Sequence, residues 1–359
     1  MSETEKVTQI DQPELTPVRE VHRFDEQRLA EYLQGKLDRD FSDLTVLQFE
    51  GGQSNPTFQL SADGRKYVLR KKPPGQLLKS AHQVDREYRV MTALRDTGVP
   101  VPKTYHLCED DAVLGTAFFV MEDVEGRVMM DATLPSMSKD DRHALYNHFI
   151  EILAALHAVD LDAVGLSDFG RAGNYYERQI SRWSKQYRAS ETEQIPEMEA
   201  LMEWLPKNIP QTEEVTLVHG DYRIGNCIVH STEPRIVALL DWELSTTGHP
   251  LADVSYSCMM YHGSSTVSNR DFGYDASGVP SEREFLDLYS ARAGIGSIEN
   301  WTFYIVYNLF RSGGITQGVY KRGLDGNASS EQWKERGNHC RAQAENAWSL
   351  VQAAEKGNE

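Results

Sequence analysis

The chain has 359 residues, of which 40% are hydrophobic and 25% charged, and its formal net charge is −17 at pH 7. This length suits two lobes or domains better than one small core, and the acidic balance argues against nucleic-acid binding, which needs a basic surface. No stretch approaches the ~18 continuous apolar residues of a membrane span. The polar, acidic start lacks the order of a signal peptide, so we expect a cytoplasmic protein that does not bind membranes.

The first third of the chain predicts a flexible arm followed by a small α+β lobe. Residues 1–21 are mainly polar and contain two prolines, which favours a flexible arm. The predicted elements are a helix over 23–37, strands over 44–49, 57–61 and 67–70, a helix over 82–97, and strands over 104–109 and 116–121. Ala62-Asp63-Gly64 is a hairpin turn signal. The order β-β-β-α-β-β is typical of an α+β lobe and not of a doubly wound sheet.

Beyond Gly126 the pattern is mainly helical. The predicted elements are helices over 143–159, 175–188, 197–205, 281–294, 298–322 and 329–355, and short strands over 215–218 and 236–240. We therefore expect a first lobe over 22–123 and a larger, helical lobe over 124–355. The two short strands bracket a polar loop that carries the most informative motif.

The segment LVHGDYRIGNCIVH, with ALLDWE after it, supplies the side chains that phosphoryl transfer needs. A carboxylate must orient the attacking hydroxyl and accept its proton. An amide and a second carboxylate must hold Mg²⁺ against the phosphates, because hard cations prefer oxygen ligands. Asp221, Asn226 and Asp241 form this set. A lone HGD could equally be a turn with a capping aspartate, whereas the complete pattern favours catalysis.

HGDYRIGN with LLDWE resembles the catalytic and metal-binding loops of the aminoglycoside phosphotransferase family. The runs YVLRKKPPGQLLKSAHQVDREYRVMTAL and VPVPKTYHLCEDDAVLGTAFFVMEDVEGRV resemble, more narrowly, the kinase-like domain fused to acyl-CoA dehydrogenases in some eukaryotes and its stand-alone bacterial relatives. The resemblance covers roughly residues 22–350. It implies a two-lobed, protein-kinase-like α+β fold. A small N-lobe, with an antiparallel sheet and one long helix, would bind the nucleotide, and a larger, mainly helical C-lobe would carry the catalytic loop and the acceptor site.

The resemblance also assigns the cofactors and the central residues. ATP and Mg²⁺ are the implied cofactors. Asp221 resembles the catalytic base, and Asn226 and Asp241 resemble the magnesium ligands. Glu87 resembles the helix glutamate that pairs with a strand cation, which is Arg70 at the end of YVLR.

The strand cation departs from the protein-kinase pattern. Protein kinases place a lysine at this position, and an arginine is larger and not interchangeable with it. Either Lys71 or Lys72 could therefore be the phosphate contact instead of Arg70.

Further nucleotide contacts are implied at two backbone segments. Residues 49–55 resemble the phosphate-covering loop, in which glycines let successive N–H groups approach an anion, and Ser54 and Asn55 are its candidate contacts. Glu122 and Val124 lie where the kinase hinge is expected. There the Glu122 carbonyl and the Val124 N–H would hydrogen-bond adenine.

Two residues are expected to support the catalytic loop. His219 is interpreted as a structural histidine rather than a chemical one. Asp253 resembles the aspartate that braces this loop, at the end of the segment GHPLAD. His249 in that segment stands where the family usually has an aspartate.

The acceptor is predicted less directly. The late helices carry many aromatic residues, which are more often core than pocket lining but suit a substrate with an apolar part. A basic island consists of Arg65, Lys66, Arg70, Lys71, Lys72, Lys79, His82, Arg86 and Arg89. With the resemblance, this island favours a hydroxyacyl-CoA, a CoA thioester, or a hydroxy acid as the small-molecule acceptor. The alternatives are an aminoglycoside, choline or homoserine kinase, or a catalytically silent nucleotide-binding regulator.

Overall fold

The computed structural model describes residues 14–50, 55–73, 83–171, 173–211, 214–262, 272–326 and 339–357. These residues divide into two compact units. The first unit runs to Ile152 and adds Asp162–Leu166 and Arg223–Ser245. The second holds Leu153–Leu161, Ser167–Tyr222 and Thr246 onward. The sequence predicted a boundary between residues 123 and 124, so the two divisions differ.

An antiparallel six-stranded sheet forms the body of the first unit. Its strands are β1 (Leu15–Thr16), β2 (Thr45–Phe49), β3 (Thr57–Ala62), β4 (Arg65–Lys71), β5 (Thr104–Cys108) and β6 (Phe118–Glu122), in the order β1-β2-β3-β4-β6-β5. Helices α1 (Glu26–Leu37), α2 (Val84–Leu94) and the single turn α3 (Asp111–Leu114) complete it. The predicted β-β-β-α-β-β order and its helices are therefore present, with β1 added at the edge.

The sheet is covered on both faces, which explains its unbroken apolar runs. Leu29 and Leu33 of α1 share a buried cluster with Leu69, on one face. Tyr88 of α2 contacts Phe119 of β6 on the other face, with ring centroids 6.0 Å apart. Because side chains alternate along a strand, consecutive residues of β4 and β6 enter different layers.

The β3–β4 hairpin confirms the predicted turn. Ala62 pairs with Arg65 across a two-residue loop. Asp63 and Gly64 have φ angles of 49° and 65°, the left-handed pair that a type I′ turn requires. Aspartate and glycine tolerate this conformation better than most residues, which is why the signal was readable.

The end of the predicted N-terminal arm belongs to the sheet. Leu15 pairs with Phe49, and Thr16 pairs with Gln48. A turn of 3-10 helix follows at Glu20–His22. Within the predicted arm over 1–21, residues 15–16 thus pair with the sheet, and residues 1–13 lie outside the described part.

A second, three-stranded sheet explains the different unit boundary. It consists of β7 (Arg127–Val128), β9 (Cys227–Val229) and β10 (Ile236–Leu239), in the order β10-β9-β7. The pairing of Arg127 with Val229 ties the residues after 123 to the segment 223–245. Helix α4 (Lys139–His157) then leads from the first unit into the second.

The second unit is mainly helical. Its helices are α5 (Tyr175–Ser190), α6 (Pro196–Lys207), α7 (Leu251–Cys258), α8 (Tyr274–Ser277), α9 (Glu282–Ala293), α10 (Trp301–Leu324) and α11 (Cys340–Gly357). Strand β8 (Thr216–Val218) pairs with β11 (Thr246–Gly248). The helix predicted over 329–355 is described only from Cys340, and its earlier part lies outside the described residues.

The aromatic residues of the late helices are largely core. Tyr176 of α5 contacts Phe303, Tyr304 and Tyr307 of α10 at ring-centroid distances of 5.2, 5.6 and 5.0 Å. Phe310 is fully buried. Within the part of the chain that the structure describes, no helix combines the length and apolar character needed to span a membrane.

Candidate active site

Asn226 and Asp241 lie at one end of the β9–β10 hairpin. Asn226 closes a short 3-10 turn that leads directly into β9, and β10 ends two residues before Asp241. The Leu240 N–H donates to the Asn226 carbonyl at 2.8 Å, so the hairpin brings both predicted metal ligands to the same end. Asp241 has a φ of +65°, which is costly for a residue with a side chain and is found mostly where a site requires it.

Arg70 is the centre of a charged cluster on the α2 face of β4. Its Nε lies 2.7 Å from Glu87 Oε2, and its Nη2 lies 3.0 Å from Asp241 Oδ1. Asn55 Nδ2 donates to Glu87 Oε1 at 2.8 Å. The predicted pairing of Arg70 with Glu87 is therefore present, and the Asn55 side chain supports Glu87.

The electrostatics of this cluster keep Arg70 charged. Burial alone would lower the pKa of Arg70, but the carboxylates of Glu87, Asp241 and Glu243 outweigh it and raise the pKa. Burial raises the pKa of Glu87 against the opposing effect of Arg70. The ion pair is therefore what favours a carboxylate at this buried position.

Lys71 lies on the other face of β4. Its Nζ donates to Thr116 Oγ1 at 2.7 Å, and the residue is only 6% exposed. It borders a cavity of about 320 Å³ that His22 and Asp111 also line. Because Arg70 and Lys71 point to opposite faces, Lys71 is a poor candidate for the phosphate contact near Arg70.

The predicted basic island is dispersed. Arg86 donates to the Ser245 carbonyl at 3.4 Å, and Arg89 donates to the Gly165 carbonyl at 2.8 Å. Lys72 Nζ lies 3.5 Å from Asp85 Oδ1. Lys79 and His82 lie outside the described residues. The described cations therefore do not form one continuous patch.

The predicted nucleotide loop and hinge are described in part. Ser54 and the glycines before it lie outside the described residues, and Asn55 is buried. Glu122 ends β6, and Val124 lies two residues beyond the strand. Between them, Asp123 accepts a hydrogen bond from Gln59 at 2.6 Å.

The loop before Asp221 is fixed in the second unit. The Asp253 carboxylate accepts the His219 N–H at 2.6 Å and the Gly220 N–H at 2.8 Å. The His219 Nδ1 accepts the Asp221 N–H at 3.2 Å, and His219 is fully buried. Asp253 and His219 together thus hold the backbone N–H groups of three consecutive residues, His219, Gly220 and Asp221.

Arg311 of α10 also reaches this loop. Its Nη2 donates to the Gly220 carbonyl at 2.5 Å. Burial alone would lower the pKa of Arg311, but Tyr307, Tyr175, Tyr256 and Asp221 outweigh it and raise the pKa. A buried cation therefore lies beside the predicted base.

The whole sequence was also compared with models of protein families. The model described as APH, phosphotransferase enzyme family, matches residues 45–289, more than half of the chain. The chain belongs to this phosphotransferase family. It is accordingly an enzyme of the kinase type with a protein-kinase-like fold, as the sequence predicted.

Two curated relatives of this phosphotransferase are much longer than it is. Acyl-CoA dehydrogenase family member 10 of Mus musculus is 43% identical over 94% of this chain and 32% of its own length. Acyl-CoA dehydrogenase family member 11 of Homo sapiens is 44% identical over 89% of this chain and 42% of its own length. The phosphotransferase therefore spans less than half the length of each.

Solved structures show the same fold. A protein of Ralstonia eutropha jmp134, provisionally named an aminoglycoside phosphotransferase, is 45% identical with a TM-score of 0.83, covering 92% of this chain and 99% of that chain. A thermostable mutant of the aminoglycoside phosphotransferase APH(4)-Ia, bound to ADP and hygromycin B, is 16% identical with a TM-score of 0.59, covering 90% of this chain and 98% of that chain. Spectinomycin phosphotransferase APH(9)-Ia, bound to ADP and spectinomycin, is 13% identical with a TM-score of 0.60, covering 91% and 98%. The last two support the fold alone.

The structure gives a physical account of His249. Its Nδ1 accepts the Leu251 N–H at 3.2 Å, at the start of α7, which an aspartate oxygen could also do. Its ring stacks on Tyr304 at 5.5 Å with an interplanar angle of 14°. Burial, together with His157, lowers the pKa of His249 to about 4. Burial therefore favours the neutral imidazole, whose Nδ1 accepts the N–H of the first residue of α7.

Sequence reasoning missed Glu243 and Arg311. Glu243 Oε2 lies 3.7 Å from Arg70 Nη2. Glu243 is the last residue of the motif Asp-Trp-Glu, and that position was the sequence signal that could have identified it. Arg311 lies about 90 residues after the loop it contacts, in a helix with an apolar pattern. No local spacing connects the two, so only a buried charge within that pattern could have pointed to it.

Proposed function

We propose that this phosphotransferase moves the γ-phosphoryl group of ATP to a hydroxyl of a small molecule, with Asp221 as the base. The hydroxyl oxygen forms a bond to the γ-phosphorus as the bond to the β–γ bridging oxygen breaks. ADP leaves, and the hydroxyl proton goes to the Asp221 carboxylate. The observation that supports this most is the support given to Asp221, whose preceding residues are held by Asp253. Such positioning supplies most of the catalysis in phosphoryl transfer.

Mg²⁺ fits the donor chemistry at the β9–β10 hairpin. Asn226 offers an amide oxygen and Asp241 a carboxylate, the hard ligands that Mg²⁺ prefers. Among the described residues, no group of three or more acidic, histidine or cysteine side chains is arranged to hold a metal. Two protein ligands suit Mg²⁺, which usually takes its remaining ligands from water and phosphate. When bound, the ion would neutralise charge on the phosphates.

We propose a hydroxyacyl-CoA or a hydroxy acid as the acceptor. The support is the 43–44% identity to two proteins named as acyl-CoA dehydrogenase family members. A phosphotransferase joined to enzymes of that name would meet acyl thioesters. Phosphorylation turns a hydroxyl into a better leaving group, which is a reason for such a reaction to precede further conversion of the acyl chain.

A panel of acceptors tests both the proposed phosphoryl transfer and the proposed acceptor. The enzyme would be incubated with Mg-ATP and, separately, a hydroxyacyl-CoA, its free hydroxy acid, an aminoglycoside, choline and homoserine. Mass spectrometry would detect the gain of one phosphoryl group, and omission of Mg²⁺ provides the control. We expect transfer to the hydroxyacyl-CoA. Transfer only to another acceptor would overturn the acceptor proposal. Mg-ATP binding without transfer to any acceptor would favour the silent regulator.

A further inference from the structure

Arg311 holds one end of the peptide bond that precedes Asp221. That peptide consists of the Gly220 carbonyl and the Asp221 N–H. Arg311 Nη2 donates to the carbonyl at 2.5 Å, and His219 Nδ1 accepts the N–H at 3.2 Å. Both hydrogen-bonding groups of a single peptide plane are therefore engaged by other side chains.

Gly220 gives this contact its importance. Its φ is +84°, a conformation in which glycine carries no Cβ penalty and the following peptide plane can rotate readily. Asp253 fixes the peptide before Gly220, through the Gly220 N–H. Arg311 and His219 both contact the following peptide plane, to which the Asp221 Cα is attached, and both oppose its rotation.

The guanidinium is itself held in place. Arg311 is 5% exposed, and its Cζ lies 5.6 Å from the Trp183 ring centroid and 5.2 Å from that of Tyr256. Cation–π contacts of this kind orient a planar cation in a buried site. A lysine ammonium would keep the charge, but it lacks the planar guanidinium group, which can stack on aromatic rings while it donates a hydrogen bond.

We propose that Arg311 is a positioning residue for phosphoryl transfer: it fixes the Gly220–Asp221 peptide and thereby aims the Asp221 carboxylate. This inference rests on the proposed role of Asp221. Arg311 would act through this peptide and not on the reacting atoms. Its effect is expected on turnover and not on nucleotide affinity, because a small misplacement of a catalytic group can cost about 10²-fold in rate.

The first test measures the loop directly. Hydrogen–deuterium exchange would follow the peptide that contains residues 219–222 in Arg311→Ala and Arg311→Lys. We expect exchange at least tenfold faster in Arg311→Ala, with Arg311→Lys between that variant and the native enzyme. The matched control is Gln317→Ala, on the same helix. Gln317 is buried and donates to the Ser190 carbonyl at 2.6 Å, away from the catalytic loop. Exchange at 219–222 that is the same in Arg311→Ala as in Gln317→Ala would overturn the proposal.

The second test measures chemistry with ATP hydrolysis in water, a probe that needs no identified acceptor. In Arg311→Ala we expect kcat to fall about 10²-fold and KM for Mg-ATP to change less than twofold. Guanidinium at tens of millimolar should restore part of kcat, whereas sodium chloride at equal ionic strength should not. If Arg311→Ala does not fold, Arg311→Gln serves in both tests. An unchanged kcat, or equal rescue by both salts, contradicts positioning by this guanidinium.

The Asp221→Asn variant distinguishes failure of the proposed role of Asp221 from failure of the proposed role of Arg311. If it abolishes hydrolysis while Arg311→Ala remains fully active, the role of Asp221 stands and that of Arg311 fails. If Asp221→Asn remains active, the proposed base is wrong, whatever Arg311 does.

Discussion

Asp221 ends a run of three consecutive backbone N–H groups that are all held by side chains. Asp253 holds the N–H groups of His219 and Gly220, and the Asp221 N–H is held by His219. A base whose backbone is fixed pays little orientational cost when the acceptor hydroxyl arrives. The single carboxylate at this position should therefore carry a large share of the rate.

Replacing Asp221 with asparagine should remove the proton acceptor while keeping the shape of the side chain. Loss of a positioned base lowers turnover by about 10²–10⁴-fold. Mg-ATP binding should stay nearly unchanged in a calorimetric titration, because the amide is isosteric. Asp287→Asn, at an exposed position on α9, is the matched control and should retain native turnover. Near-native turnover in Asp221→Asn would remove this residue from the mechanism.

Asp241→Asn and Asn226→Ala should weaken nucleotide binding as well as rate. Both proposed ligands lie at the same end of the β9–β10 hairpin, so each change removes a hard oxygen ligand or its charge. Isothermal titration with ATP, with and without Mg²⁺, is the measurement. Glu233→Gln, in the turn at the other end of the hairpin, is the control and should bind Mg-ATP normally. Affinity that is native in both variants would contradict the metal site.

For individual residues, the sequence was most informative where one short segment supplies several functional side chains. The pattern from His219 to Asp241 could be read because its members follow one another on a loop and a hairpin. Arg311 could not be read, because its partner carbonyl belongs to a residue far away in sequence. The hydrogen bond from the Asn55 side chain to Glu87 was not predicted, because the two residues are 32 positions apart in the sequence.

Strand β4 separates two neighbouring cations onto different faces of the sheet. Arg70 contacts Glu87 and Asp241, whereas Lys71 contacts Thr116 on the α1 side. The period of two along a strand is what decides this, and it holds whatever the local charge. Neighbouring basic residues on a strand are therefore not one site.

Arg70→Met and Lys71→Met should have different effects. We expect Arg70→Met to weaken Mg-ATP binding, because it removes the cation beside Asp241 and leaves Glu87 buried without a counter-charge. Lys71→Met should leave Mg-ATP affinity within about twofold and change mainly the melting temperature, since burial already lowers the pKa of this lysine. Calorimetry and thermal unfolding of both variants provide the comparison. A larger loss of affinity in Lys71→Met than in Arg70→Met would reverse the assignment.

The N-terminus of α7 should make stability sensitive to acid. The pKa of His249 is lowered to about 4 in the folded protein and is about 6.5 when unfolded, so between these values the unfolded chain binds the extra proton. Stability should therefore fall as pH drops from about 6.5 to 4, by at most about 3 kcal/mol.

His249→Asn tests this contribution. Its side-chain oxygen can still accept the Leu251 N–H, but it does not titrate in this range. The variant should lose stability at neutral pH, because the ring no longer stacks on Tyr304, yet its loss between pH 6.5 and 4 should be smaller. Urea unfolding at several pH values measures both effects. A pH slope equal to that of the native protein would contradict this role of His249.

Elements were predictable where a period and a turn signal coincide. The β3–β4 hairpin has both, because Asp63-Gly64 suits the left-handed turn. Strands β7 and β9 were missed because they are two and three residues long and follow directly on polar loops. Such short strands exist only through their partners, which no local pattern reveals.

The whole molecule is strongly acidic, which matters for its proposed anionic ligands. A net charge of −17 repels ATP and CoA thioesters at long range, so local cations must offset that repulsion. The structure commits Arg86 and Arg89 to backbone carbonyls and buries Lys71. Two other lysines of the predicted basic island differ from these residues. Lys72 is partly exposed, and Lys79 lies outside the described residues.

Replacing Lys72 and Lys79 should therefore distinguish the classes of acceptor. If these lysines contact CoA phosphates, the double variant Lys72→Ala/Lys79→Ala should raise KM several-fold for a hydroxyacyl-CoA but not for the free hydroxy acid. Each exposed contact contributes about 1 kcal/mol or less, which is why both are changed together.

Its control and salt dependence complete the test. Lys36→Ala/Lys207→Ala removes two exposed lysines elsewhere and should leave both KM values unchanged. The difference between the two acceptors should shrink at high salt, because screening over about 10 Å weakens exposed charge contacts. Equal KM changes for both acceptors, or none for either, would contradict CoA recognition by these lysines. Membership of the phosphotransferase family would be unaffected, because it rests on the match over residues 45–289 and not on the lysines.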